Sequence, residues 1–164
     1  MSALRILDAD YDDPAHRGAI VDVLDSYARD PAGGGTPLTA DVREALVPAL
    51  RAQPTARVLL AFAGDAPVGI ATCFLGFSTF AARPLLNIHD LAVVPEWRGR
   101  GVGRALLAAA ERRARADGCC KLTLEVLETN ARARGLYERF GFTDYALGDA
   151  DPAPTRFLTK SLGR

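Results

Sequence analysis

Leu91-Ala92-Val93-Val94-Pro95-Glu96-Trp97-Arg98-Gly99-Arg100-Gly101-Val102-Gly103-Arg104 decides how the rest of the chain is read. An apolar, β-branched run halts at Pro95, and a turn rich in glycine and arginine follows. Ala105-Leu106-Leu107-Ala108-Ala109-Ala110-Glu111 is then built of strong helix formers. The stretch is strand, loop and helix start. Glycines at 99, 101 and 103 remove Cβ atoms where the backbone turns tightly, so that successive N–H groups can converge beside the positive end of the helix. A cradle of that kind binds an anion. Arg98, Arg100 and Arg104 add full charges around it, which suits a diphosphate better than a single carboxylate. Taken alone, three glycines fit a plain strand-to-helix connection with solvated arginines better than an anion site.

Two common phosphate loops can be tested against the stretch. A P-loop ends in Gly-Lys-Ser/Thr, but Gly103 is followed by Arg104 and Ala105, so that reading fails. The dinucleotide fingerprint places Gly or Ala three residues after its second glycine. Counting from Gly101 and Gly103, that position is Leu106, although Glu125 lies about where a ribose-binding acid would stand.

The segment resembles instead the coenzyme A loop of the GNAT family of N-acetyltransferases, whose signature Arg/Gln-x-x-Gly-x-Gly/Ala is matched by Arg98, Gly101 and Gly103. Downstream, Asn130-x-x-Ala133-x-x-x-Tyr137-Glu138-x-x-Gly141-Phe142 is similar to the family's second cofactor segment. The close match runs from Ile88 to Phe142, about a third of the chain. The resemblance implies acetyl-CoA as co-substrate. Its pyrophosphate would lie on Arg98, Gly99, Arg100, Gly101, Val102, Gly103 and Arg104, and its pantetheine arm along Leu91, Ala92 and Val93, with Asn130 and Tyr137 completing the groove. It also implies a mixed, mostly antiparallel sheet of about seven strands with two parallel central strands, flanked by about four helices.

The order of elements agrees with that fold. Residues 4–7 form a first strand, and Pro14 opens a helix with Ile20, Val23, Leu24 and Tyr27 at helical spacing. Asp30-Pro31-Ala32-Gly33-Gly34-Gly35-Thr36-Pro37 breaks that helix and is flexible by composition, either a linker or a lid over a substrate. Thr39 caps a second helix over 40–51 that contains Pro48. Residues 57–63 and 67–75 flank Gly64-Asp65-Ala66 as a hairpin whose second strand is expected to continue through Phe77 to Phe80. Residues 86–93 feed the glycine loop, whose helix ends near Asp117 with Gly118 as its stop. A parallel strand over 120–127 follows, as a right-handed crossover requires. Asn130 caps a last helix through Phe140, and residues 142–146 and 156–162 close the sheet.

Length and charge narrow the function further. At 164 residues the chain reads as one domain, 1–164, able to bury roughly 70% of the surface its unfolded form exposes. Twenty Lys plus Arg against twenty Asp plus Glu leave no basic excess for nucleic acid or an anionic membrane. Without a signal-like N-terminus or a spanning apolar run, a soluble cytoplasmic protein is expected. Cys73, Cys119 and Cys120 read as reduced core residues, and with only His16 and His89 no metal site is expected.

Acetyl transfer from a thioester to an amine needs a neutral amine, a stabilised oxyanion and a proton for the departing thiolate. Tyr137 lies seven residues after Asn130, close to two helical turns, and by its family position is the general acid. His89 is the first choice as base, with Asp90 and Glu125 as alternatives, either as base or as an anionic seat for the amine. In a regular strand His89 and Asp90 point to opposite faces, whereas a β-bulge of the kind the family often has would alter that. A backbone N–H of residues 91–93 is the oxyanion donor by the same analogy. Tyr27, Asp30, Phe80 and Glu125 are the candidates for the acceptor's side. The expected partner is a small primary amine (a polyamine, aminoglycoside or amino compound), and the assembly allows a homodimer. A non-catalytic acyl-CoA sensor, a transferase acting on a protein amine, and a dinucleotide-binding module are the alternatives. An acetyl-cysteine route is disfavoured, because Cys119 and Cys120 follow a helix C-terminus whose field opposes a thiolate.

Overall fold

The computed structural model describes residues 3–145 and 157–162. The chain forms two compact units, Met1–Leu124 and Glu125–Arg164. In the first, strands β1 (Leu4–Asp8), β2 (Ala56–Ala63), β3 (Ala66–Ser78), β4 (Arg83–Val93) and β5 (Leu122–Leu124) lie side by side in chain order. The first four are mutually antiparallel, and β5 runs parallel to β4. Helix α1 (Pro14–Arg29) starts on an Asp13 cap that accepts from the Ala15 amide at 2.8 Å. Helix α2 (Ala40–Arg51) accommodates Pro48, and α3 (Val102–Ala116) is the crossover between β4 and β5.

The period-2 pattern of the strands sorts side chains onto two faces. On one face Ile70 and Ala92 pack with Ala19, Ile20 and Val23 of α1, Val47 and Leu50 of α2, and Val58, Leu60 and Phe62 of β2. On the other face α3 buries Val102, Leu106, Leu107, Ala110 and Ala114. Gly69, one position from Ile70, lets α3 approach: a Cβ there would stand 3.0 Å from the Ala92 carbonyl and 3.1 Å from Val102 Cγ1 and Leu106 Cδ1. Each fully buried Leu or Ile adds roughly 1.5–3 kcal/mol of hydrophobic stabilisation.

Several expectations change. The described residues carry five strands rather than about seven: 142–145 and 157–162 form none, and residues 146 and 156 of the two closing strands lie outside the described residues. β5 is three residues long, not the eight of 120–127, and β3 stops at Ser78, leaving Phe80 in the turn and 92% exposed. The mixed direction, the hairpin, the parallel β4–β5 pairing and, among the described residues, four helices appear as read, but β5 is the outermost strand of the described sheet and not one of two central ones. Among the described residues no helix is long and apolar enough to cross a membrane. None of their His, Cys, Asp and Glu side chains group as a metal site.

Candidate active site

β5 meets β4 only at Leu86↔Leu122, Asn87↔Thr123 and Ile88↔Leu124, a contact reinforced by Asn87 Nδ2 donating to Thr123 Oγ1 at 3.1 Å. From residue 89 onward β5 no longer pairs with β4. On its other side β4 stays joined to β3, with Val94 N donating to Val68 O at 3.0 Å and Ala92 opposite Ile70. Antiparallel alternation then directs the backbone groups of residues 90, 92 and 94 to β3, and those of Leu91 and Val93 to the opposite edge, which no described strand pairs at these residues. Of the three residues expected to hold a pantetheine arm, Leu91 and Val93 present their backbone outward, and Ala92 is engaged with β3.

That edge leads into the glycine turn. A 3₁₀ segment, Pro95–Trp97, is followed by Gly99 at φ +73° and Gly101 at φ +85°, left-handed conformations that a Cβ resists. A Cβ on either would meet no described atom beyond its chain neighbours within 4 Å, so backbone conformation, not crowding, demands glycine here. The first bond of α3 runs from Ala105 N to Gly101 O at 3.0 Å, and no side chain caps the helix. The amides of Gly101, Val102 and Gly103 precede the helical ladder, where the helix field is positive.

The arginines divide their work. Arg98 is held by three bonds: its amide donates to Pro95 O at 3.3 Å, its Nε to Val93 O at 3.0 Å, and its Nη2 to Asp30 Oδ2 at 2.8 Å. Arg100 lies over the Trp97 ring, 5.2 Å from its centroid, and Arg104 projects from the exposed side of the first turn of α3. Of the three arginines expected around the turn, Arg98 is bound to a carboxylate 68 positions upstream.

The register of β3 and β4 slips between Thr72↔Asp90 and Cys73↔Ile88, which leaves His89 as the extra residue of a β-bulge. The bulge overturns strict alternation. Asp90 accepts a hydrogen bond from the hydroxyl of buried Thr72, on the face of Ile70 and Ala92. The exposed His89 ring sits edge-on to Phe74, 5.7 Å between centroids, and Phe74 packs against that same cluster. Two of the three candidate bases, His89 and Asp90, are thus on the α1–α2 face. Tyr27 packs there too, and its phenol is pushed above the usual range by burial and then by the negative charges of Asp90 and Asp30.

The loop read as flexible is an ordered turn. Asp30 ends α1 and caps a 3₁₀ segment, Pro31–Gly33, its Oδ1 accepting from Ala32 N at 2.9 Å and its carbonyl from Gly33 N and Gly35 N at 2.8 and 3.0 Å. Gly33 is pressed onto α1 so closely that a Cβ would fall 2.0 Å from the Tyr27 carbonyl. At the far end Leu38 N donates to Asp25 Oδ1 at 2.8 Å, and Asp25 also binds Arg29 and Arg43.

Phe80 is not brought to this place, since it lies beyond Arg83 at the opposite end of β4, roughly 30 Å of strand from Val93. In the second unit, Glu125 is exposed and precedes α4 (Ala131–Phe140). Asn130 Oδ1 caps α4 by accepting from Ala133 N at 3.2 Å, and Gly141 at φ +107° ends it. Tyr137 is half-buried, edge-on to Phe142 at 5.8 Å. The three cysteines are free; burial pushes the Cys73 thiol up to about 12, and burial and then Asp117 raise Cys119. Thr72, Phe74 and Gly33 escaped sequence reading, because a threonine or phenylalanine in a strand and a glycine in a turn look ordinary. Gly69 carried a usable signal, an isolated glycine inside a strand.

Comparison with known proteins adds to this geometry. The family profile described as the acetyltransferase (GNAT) family matches residues 20–142. The chain is 35% identical over 81 residues to the thialysine N-epsilon-acetyltransferase of Bos taurus, covering 49% of this chain and 47% of that protein. It is 33% identical over 87 residues to the uncharacterized N-acetyltransferase YhfO of Bacillus subtilis (strain 168), covering 53% and 58%. The chain thus spans about half the length of the curated relatives it matches. The structure of the aminoglycoside N-acetyltransferase AAC(6')-Iy in complex with CoA superposes with a TM-score of 0.73 at 18% identity, over 98% of this chain and 96% of that one, a likeness of fold.

Proposed function

The chain belongs to the acetyltransferase (GNAT) family, and from that premise we propose that it transfers an acetyl group from acetyl-CoA directly to a primary amine of a small molecule. The observation that supports this reading most is the continuity of the β4 edge with the glycine turn. Outward backbone groups of Leu91 and Val93 lead to Gly99 and Gly101 in left-handed conformations and then to the uncapped start of α3. An extended thioester arm that ends in a diphosphate needs that sequence of features: strand-like hydrogen bonds first, then converging amides.

The roles follow from the chemistry. Amides of Gly101, Val102 and Gly103, with Arg100 and Arg104, hold the diphosphate. An N–H of Leu91 or Val93 stabilises the charge that develops on the acetyl oxygen. His89 takes the proton of the amine, and Asp90, held by Thr72, gives the attacking amine an anionic neighbour. Tyr137, by its family position, supplies the proton to the departing thiolate. Tyr27 lines the acceptor's side. Direct transfer needs no cysteine, and Cys73 and Cys119 are held towards their neutral forms by burial.

Initial rates with acetyl-CoA and a panel of polyamines, aminoglycosides and amino acids test the proposal through CoA release. Intersecting lines and full activity in Cys119→Ala and Cys120→Ala are expected. Parallel lines, or labelled acetyl on either cysteine, refute direct transfer. Binding of NAD in place of acetyl-CoA refutes the cofactor assignment.

A further inference from the structure

Arg98 is the first residue of the signature that suggested diphosphate binding, yet its donors face elsewhere. Nε and Nη2 form the side-on edge of the guanidinium, the edge that grips an oxyanion with two parallel bonds. Here that edge reaches Val93 O and Asp30 Oδ2, at 3.0 and 2.8 Å. Both side chains are mostly buried, 23% and 22% exposed, so the pair is a fixed element and not a passing surface contact. Asp30 is equally committed. Its second oxygen and its carbonyl hold the Pro31–Gly35 turn, and its amide donates to Tyr27 O at 3.0 Å. One guanidinium, carried at the start of the glycine turn, therefore joins two things: the outward carbonyl at the end of β4 and the corner of α1 that carries Tyr27.

We propose that Arg98 is a positioning residue, a strut that sets the acceptor-side wall of α1 against the cofactor strand, with Asp30 as its essential counterpart, and that it does not hold the diphosphate. The inference rests on the acetyl-CoA reading above and deepens it. Lysine separates the two roles for Arg98. A lysine keeps the positive charge a diphosphate would need, but a single ammonium cannot reproduce the flat two-nitrogen edge that spans Val93 O and Asp30. Asparagine at 30 separates them from the other side. If Asp30 merely restrained a phosphate-binding arginine, neutralising it would release Arg98 and tighten the cofactor.

The experiment measures CoA affinity by calorimetry and acceptor KM and kcat for the wild type, Arg98→Lys, Arg98→Gln, Asp30→Asn and Asp30→Asn/Arg98→Gln. Each single variant is expected to raise acceptor KM roughly tenfold, as loss of a charge-assisted bond implies. kcat and CoA affinity should stay within about twofold to threefold, Lys should behave as Gln does, and the double variant should be no worse than either single. A thermal-unfolding cycle on the same chains reads the pair without ligand and should be equally non-additive. Arg98→Lys with wild-type acceptor KM, a CoA affinity that falls in Arg98→Gln but not in Arg98→Lys, or tighter CoA in Asp30→Asn overturns the strut. A wild-type chain that binds no CoA overturns the functional reading instead, and is told apart because it needs no variant.

Discussion

Replacing Gly101 by Asn and, separately, by Asp isolates the electrostatics of the anion cradle from its shape. Gly101 sits at φ +85° and ψ −1°, at the N-cap of α3, with open space where a Cβ would go. Any substitution incurs the left-handed backbone penalty, about 1–2 kcal/mol for most residues and least for Asn and Asp. The two variants are nearly isosteric, so strain and bulk cancel between them and one negative charge remains. At about 5 Å from a diphosphate of charge near −2, with an effective dielectric of roughly 40–80 for this exposed loop, the repulsion is about 1.5–3 kcal/mol. The Asp carboxylate also competes for the amides of Val102 and Gly103. CoA affinity is therefore expected to be about ten- to a hundredfold weaker in Gly101→Asp than in Gly101→Asn. Stability should move the other way, since a carboxylate at a helix N-terminus is favoured by about 0.3–1 kcal/mol. Calorimetric titration with CoA and a thermal melt of the free protein check both. Equal affinities in the two variants, or affinity and melting temperature falling together, would refute the cradle.

Tyr137→Phe should lower kcat by about 10²-fold with CoA affinity unchanged; wild-type turnover across pH would assign the ring to packing against Phe142. His89→Ala should depress kcat/KM most at low pH, where the amine is protonated and needs a base, and recover as pH rises; a profile like wild type would move the role to Asp90, Glu125 or water. For Asp25, the hydrogen bond from Arg29 leads a set that includes Leu38 N and Arg43 and holds the carboxyl below the usual range. A group depressed on folding stabilises above its unfolded value, near ~4, and loses that contribution as pH falls through the folded value. Asp25→Asn should lower the melting temperature at pH 7 and flatten its fall as the pH drops below about 4; an unchanged acid limb would show the carboxylate to be energetically silent.

Much of this protein was legible in its residues, for reasons that are local. Pro14, Gly118 and Gly141 mark helix ends, Gly64-Asp65 marks a hairpin, and the run from Leu91 to Arg104 identifies strand, anion turn and helix because glycine spacing and helix propensity act over a few residues. The pattern from Arg98 to Phe142 carried the family as well. Other features belong to pairs far apart in the chain. Arg98 reads as part of the signature, nothing near it in sequence announces Asp30, and only folding brings the two to 2.8 Å. His89 and Asp90 share a face because β4 slips by one residue against β3, a register decided by the packing of Cys73, Ile88 and Ala92 and not by any local preference. The open edge of β4 exists because β5 stops after three residues, and strand length depends on partners rather than composition. Local chemistry determined which elements form and where a diphosphate would be drawn; tertiary structure decided which side chains remain to meet it, because charges and hydrogen-bond donors are assigned by whichever partner folding brings within reach.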